Sequence, residues 1–252
     1  MKVLVTFAVE TEFSPWRRLE DFRPIGFGAG EMYGVRIGEA ELRVLLTGVG
    51  RDAARQAVEA ALGDRPDFCI SSGLAGSLRP MYAVGDILVA RAVRSGVGDG
   101  ILPSEGHLVE CAARCGAHPV HMFWSSETLV RTVGEKYTLG LEADAVEMES
   151  YAVLAEAARW GVPAVAIRAV SDAAAEDLPY DFDRARDARG QIRLLGVLAL
   201  VGRRPQRVLA LVRFARHCRK AAVSIAKFLE LYVKSLAIEM SPDELDSPVA
   251  AT

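Results

Sequence analysis

Two kinds of hydrophobic pattern alternate along the chain. Short runs rich in Val, Ile, Leu and Phe at 2–9, 35–37, 42–47, 68–72, 87–92, 118–124 and 164–170 read as strands. Between them, 52–62, 106–115 and 150–160 carry apolar residues at helical spacing, and the last stops at Gly161 and Pro163. The run 164–170 is apolar almost throughout, which predicts a strand covered on both faces. Strands alternating with helices predict an α/β fold: a single domain whose mixed, twisted central sheet is flanked by helices.

The pattern changes after Pro179. A polar stretch at 180–191 reads as a loop or short helix, 192–201 is apolar, and Arg203-Arg204-Pro205 interrupts. A helical, basic region follows from 206 to about 238. The last residues, with Pro242 and Pro248, read as a frayed tail. The expected organisation is a core at 1–179, a helical C-terminal extension of the same domain at 180–239, and a flexible tail at 240–252.

Composition narrows the function classes. With 252 residues, 51% apolar and 25% charged, the chain can bury a full core. A net charge of −3 gives no electrostatic case for nucleic acid as a partner. The four cysteines form no CxxC pair, and the apolar opening at 2–9 is short and soon followed by acids, as in a first buried strand. No apolar run approaches the ~20 residues that span a bilayer. A cytoplasmic protein is expected.

Two carboxylates carry the chemistry. Glu149 stands at the start of the helix at 150–160, and Asp172 ends the buried strand, where open α/β sheets bind ligands. Arg168 lies inside that apolar strand, and a buried guanidinium needs a carboxylate, for which Glu12 or Glu147 would serve. Glycine turns at 47–50 and 71–76 follow strands but lack the Lys-Ser/Thr ending of a phosphate loop. Each residue alone has a plain reading: Glu12 as a solvated charge, Asp172 as a helix N-cap, Met148 as core. Cys111, Cys115, His118 and His121 could suggest zinc. Gly116 and Pro119 interrupt that set and no knuckle spacing is present, so packing thiols and no metal are expected.

Six segments in order carry a resemblance: Phe7-Ala8-Val9-Glu10-Thr11-Glu12, Thr47-Gly48-Val49-Gly50, Ser71 to Gly76, Val84-Gly85-Asp86-Ile87, Val146-Glu147-Met148-Glu149, and Arg168 to Asp172. Over roughly 1–179 the chain resembles the purine nucleoside phosphorylase/uridine phosphorylase superfamily. Within it the chain looks most like the 5′-methylthioadenosine/S-adenosylhomocysteine nucleosidases. The resemblance implies that Glu149 accepts hydrogen bonds from the ribose 2′- and 3′-hydroxyls while Met148 packs on the sugar. Glu147, Gly73, Leu74, Ala75 and Leu129 complete the implied substrate-binding set. Asp172, positioned by Ser171, is the implied acid at purine N7, and Glu12 deprotonates the attacking water with Arg168 nearby. An acid at neutral pH must hold its proton, and burial at a strand end favours that. No cofactor or metal is implied, and a homo-oligomer is.

The chain departs from the nucleosidases in places. The segment after Gly85 is shorter, Leu129 lies where the family places an aromatic residue (Phe123 and Trp124 are just upstream), and Leu74 replaces a common serine. With Glu135-Lys136 and the basic C-terminal region, these resemble the hopanoid-associated branch, whose implied substrate is adenosylhopane. The exit of the first strand is acidic where a phosphate would sit, and Arg17 and Arg18 stand too far along, so water is the expected nucleophile. The alternatives are a phosphate-dependent nucleoside phosphorylase and a noncatalytic nucleoside-binding protein. In the basic helix, Val208, Leu209, Leu211, Val212, Phe214 and Ala215 lie among Arg207, Arg213, Arg216, Arg219 and Lys220, a pattern that permits peripheral membrane contact. The favoured competing expectation is that its apolar stripe packs on the sheet and its arginines stay solvated.

Overall fold

The strand expected to be covered on both faces is the hub of the sheet. In the computed structural model, which describes residues 1–28, 30–98, 100–180 and 208–240, all nine residues of this strand, Ala164–Asp172, are buried. The strands are β1 (Lys2–Phe7), β2 (Arg23–Ile25), β3 (Glu31–Ile37), β4 (Ala40–Leu46), β5 (Phe68–Ser71), β6 (Leu74–Ser77), β7 (Ile87–Ser95), β8 (Ile101–Pro103), β9 (His118–Ser125), β10 (Ala145–Glu147) and β11 (Ala164–Asp172). The helices are α1 (Glu10–Arg17), α2 (Arg51–Ala61), α3 (Gly106–Arg114), α4 (Val133–Leu139), α5 (Ser150–Arg159) and α6 (Val208–Glu239).

The sheet runs β2-β3-β4-β1-β5-β11-β6-β10-β9-β7-β8, with β7 also paired to β11. That last pairing closes β11, β6, β10, β9 and β7 into a ring, so one half of the sheet curls into a small barrel and the other stays open. Pairing is mixed: β1 is parallel to β4 and β5, β11 is parallel to β5 and β6, and β7 is antiparallel to β11. The β11–β6 register shifts between Val170 and Asp172, next to Ser171. An irregularity of this kind at a strand end re-aims a side chain.

Side-chain alternation sorts the core into two layers. Val3, Val5 and Phe7 of β1 face Phe13 and Trp16 of α1, Leu108 of α3, and Ile225, Leu229 and Tyr232 of α6. Leu4 and Leu45 face the other way, toward Val58 of α2 and Val153 of α5. From Ala221 to Leu236, α6 buries an apolar stripe in the first layer, and Tyr232 Oη donates to Leu108 O at 2.8 Å. The expected packing of this helix on the sheet is found there. Its first three turns are more exposed, with Leu209 83% accessible.

Six elements were not anticipated: α1, β2, β6, β8, α4 and β10. Pro15 inside α1 reads as a breaker and removes one helical hydrogen bond, yet Phe13 and Trp16 are fully buried and hold the helix. The segment 71–76, expected to be a turn throughout, enters strand β6 at Leu74. The short strands β2, β8 and β10 have three residues each, too few to show a period. Helix α4 opens with a capping box, Thr132 with Glu135, which was a readable start signal. The expectations for 181–201, and the tail from 241, lie outside the described residues.

Candidate active site

The carboxyl ends of β1, β10 and β11 open on one cavity of about 280 Å³, near the foot of the roughly 300–1,000 Å³ range of small-molecule sites. Four carboxylates stand in its wall: Glu12, Glu147, Glu149 and Asp172. Each arrives from a different place. Glu12 lies in the first turn of α1, Glu147 ends β10, Glu149 is the N-cap residue of α5, and Asp172 ends β11.

One guanidinium organises three of them. Arg168 Nη2 donates to Glu147 Oε2 at 2.7 Å and Nη1 to Ser71 O at 2.6 Å, with the side chain 1% exposed. Glu147 is thus the partner that the sequence left open between two acids. The same Glu147 oxygen accepts the backbone N–H groups of Glu149 and Ser150 at 2.9 and 2.7 Å, which satisfies the start of α5. Losing either member would strand a buried charge, at a cost of about 3–5 kcal/mol. Arg168 does not reach the cavity wall; it acts from behind, 4.0 Å from Glu149 Oε2. Its Nε and Glu147 Oε1 have no hydrogen-bond partner among the described residues.

Burial raises the proton affinities of Glu149 and Glu12, and like charge adds to it at Glu149. Desolvation, then repulsion from Glu147, pushes Glu149 up to about 7; Arg168 opposes this and Glu12 adds to it. Glu149 Oε1 accepts the Gly50 N–H at 2.8 Å, so the glycine turn at 47–50 serves a side chain of the site. Glu12 is raised above the ordinary carboxylate range by desolvation, against the pull of Arg168 and of backbone N–H groups including Ala8, whose N lies 3.1 Å from Oε2.

Asp172 is fixed at both oxygens. Ser171 Oγ donates to Oδ1 at 2.7 Å. The side chain of Lys136 on α4, which the sequence did not single out as a site residue, reaches Oδ2 at 2.5 Å. Two glycines make room for the acids: a Cβ at Gly76 would come within 2.9 Å of Asp172 Oδ2, and one at Gly73, where φ is +141°, within 3.1 Å of Glu12 Oε2. Expected as a substrate contact, Gly73 instead backs Glu12.

Leu74, Ala75, Met148 and Leu129 all line the cavity. Neither aromatic residue upstream of Leu129 does: Phe123 is core, and Trp124 lies under the Arg94 guanidinium at 5.6 Å. Phe214 and Cys218, one turn apart on α6, and Leu178 add apolar wall that the sequence did not assign to the site. Burial first, then nearby Asp172 and Glu12, pushes the Cys218 thiol up to about 12, so it stays neutral. Of the residues weighed as a zinc set, Cys111 is buried under α6 while His118 and His121 are exposed on β9.

This fold recurs in known proteins. A mutant futalosine hydrolase of Helicobacter pylori superposes with a TM-score of 0.73 at 20% identity, covering 93% of this chain and 99% of that one. The 5′-methylthioadenosine/S-adenosylhomocysteine nucleosidase of Neisseria meningitidis, in complex with methylthio-immucillin-A, gives 0.73 at 23%, with 93% and 99% covered. A mutant H. pylori nucleosidase holding 5′-methylthioadenosine in its active site gives 0.72 at 20%, with 92% and 98% covered. At these identities the likeness is one of fold. The family model described as Phosphorylase superfamily matches residues 2–137 and 120–201, and with the six segments noted above it establishes that the chain belongs to this superfamily.

Proposed function

We propose that the protein is a purine nucleosidase that hydrolyses the N-glycosidic bond of a 5′-substituted adenosine and releases adenine. One observation carries the choice of water over phosphate: the described cavity wall has four carboxylates and no lysine or arginine. A phosphate dianion entering it would meet only like charge. The two arginines nearest in sequence to Glu12 are engaged elsewhere, Arg17 with Glu10 at 2.6 Å and Arg18 with Ser14 at 3.2 Å.

The chemistry asks for this charge pattern. As C1′–N9 breaks, the sugar becomes oxocarbenium-like and the bonding pair moves onto the purine. Glu149, charged, accepts the ribose hydroxyls and with Glu147 stabilises the positive sugar. Glu12 takes the proton of the attacking water, and Asp172 gives a proton to N7 of the leaving base. Arg168 holds Glu147 and tempers the repulsion among the three acids that surround it. The apolar wall of Leu178, Phe214 and Cys218 suits an uncharged 5′ substituent, of methylthioadenosine or adenosylhopane type, and S-adenosylhomocysteine is a third candidate.

The test measures adenine release from methylthioadenosine, S-adenosylhomocysteine, aminofutalosine and adenosylhopane, with and without phosphate. The expected product is a free ribose derivative at a rate indifferent to phosphate. A ribose 1-phosphate product would make the protein a phosphorylase, and tight binding without turnover a nucleoside-binding protein.

The outer face of α6 supports a second, independent proposal of peripheral contact with an anionic bilayer. Among the described residues Arg216, Arg219, Lys220 and Lys227 have no carboxylate partner, and Val212 and Val223 are exposed beside them. Each cation near an anionic surface contributes ~1 kcal/mol. Vesicles containing phosphatidylserine are expected to sediment the protein at low salt and release it at high salt, with neutral vesicles inert. Failure to sediment at low salt removes this contact without touching the catalytic proposal.

A further inference from the structure

Behind the wall of the site, in addition to Arg168, a second basic side chain is buried against one of its acids: Lys136 against Asp172. It projects from α4 with its side chain 1% exposed, and all three ammonium donors are used: Asp172 Oδ2 at 2.5 Å, Ala173 O at 2.8 Å and Glu176 O at 2.9 Å. The surrounding segment is stitched to the same helix. Val133 N donates to Asp177 Oδ1 at 2.8 Å, and Leu178 N to Arg131 O at 2.8 Å. The Glu176 carboxylate turns away, toward Arg213 at 4.0 Å and His217 at 3.6 Å on α6.

Tethering this loop through two carbonyls needs only a neutral donor. A buried ammonium costs several kcal/mol to desolvate, so its charge is explained by an anion it serves. That anion is Asp172, whose other oxygen already faces Ser171. With both oxygens engaged the carboxyl cannot rotate about its Cβ–Cγ bond without losing a partner.

We propose that Lys136 is a positioning residue for departure of the base: it fixes the orientation of Asp172 and stabilises the carboxylate that Asp172 becomes on protonating the purine. The proposal rests on the nucleosidase reading and adds a residue to it. In the step, the C1′–N9 pair goes to the purine and the Asp172 proton goes to N7. The new carboxylate lies against Lys136 and Ser171. In the free enzyme Asp172 is the carboxylate paired with Lys136; it takes up a proton from solvent when the next nucleoside binds, and the proton taken from water by Glu12 returns to solvent. Because the ammonium meets full negative charge only after proton transfer, it favours the transition state over the bound substrate.

The test uses a leaving group that needs no proton. Wild type and Lys136→Met are compared on methylthioadenosine and on the corresponding 4-nitrophenyl 5-methylthioriboside. Adenine release is expected to fall about 10²-fold or more in kcat with KM within about threefold, and nitrophenol release to stay within about threefold. Lys136→Gln keeps a donor for the loop without the charge and is expected to show the same selective loss. In Asp172→Asn/Lys136→Met no charge is left unpaired, and its rate is expected to equal that of Asp172→Asn alone. Should Lys136→Met not fold, this last comparison decides. Equal loss on both substrates in a folded variant, or a further fall in the double variant, would overturn the role. A wild-type protein that cleaves the nitrophenyl riboside but no purine nucleoside would instead remove the nucleosidase reading itself.

Discussion

Asp172→Asn is expected to release adenine about 10²–10⁴-fold more slowly than the wild type while still binding the nucleoside. Amide for carboxyl keeps the shape and one acceptor but removes the proton donor at the leaving base. The structure adds a cost that the sequence did not suggest. Lys136 loses its anion, although the carbonyls of Ala173 and Glu176 remain as acceptors. Breaking a buried pair from one side costs about 3–5 kcal/mol, a large part of the roughly 5–15 kcal/mol that holds a domain folded. The variant should therefore melt at a visibly lower temperature and is best assayed well below it. Turnover within a few-fold of wild type, in protein shown to be folded by calorimetry, would end the assignment of Asp172 as the acid.

What the sequence made legible follows the physics of each signal. The hub strand was readable because burial on both faces leaves an unbroken apolar run from Ala164 to Val170. Arg168 was readable for the converse reason, since a guanidinium in such a run must be paired. Its choice of Glu147 over Glu12 was not, because that depends on how β10 docks beside β6 and how α5 starts. Lys136 escaped notice as a site residue because lysines on short helices are solvated as a rule; only the return of the chain at 173–178 encloses this one. Phe214 was read as part of an apolar stripe facing lipid or the sheet and Cys218 was given no role, and their place in the cavity wall needed the path of α6 across the sheet. The ring of five strands left no trace in periodicity, since closing it rests on β6 and β10, four and three residues long. The glycines were read as turn formers with room for a ligand. At Gly73 and Gly76 the space is taken by the protein's own carboxylates.

Glu12→Gln is expected to lower turnover by a similar 10²–10⁴-fold, since it removes the base that takes the proton of the attacking water. The pH dependence separates this role from a merely electrostatic one. In the free enzyme Glu149 titrates at about 7 and Glu12 is also raised, and both must be charged to work. The wild-type kcat/KM should therefore fall as pH drops below about 7, where an ordinary carboxylate would still be ionised. Stability should move the other way. Glu149 holds its proton more tightly in the folded state, about 7 against 4.5, so folding gains as pH falls through that window and loses as pH rises. The gain is on the order of 3 kcal/mol, and without ligand the melting temperature should rise between pH 8 and 6 as activity falls. Glu12 is one of the charges that raises Glu149, so neutralising it in Glu12→Gln should carry the acid limb of the residual activity to lower pH. Unchanged turnover in Glu12→Gln would remove Glu12 from the mechanism. A large fall in turnover with an unmoved acid limb would keep the base but break its coupling to Glu149. An acid limb already in the ordinary carboxylate range in the wild type would mean that the three acids around Arg168 are more solvated than their burial implies.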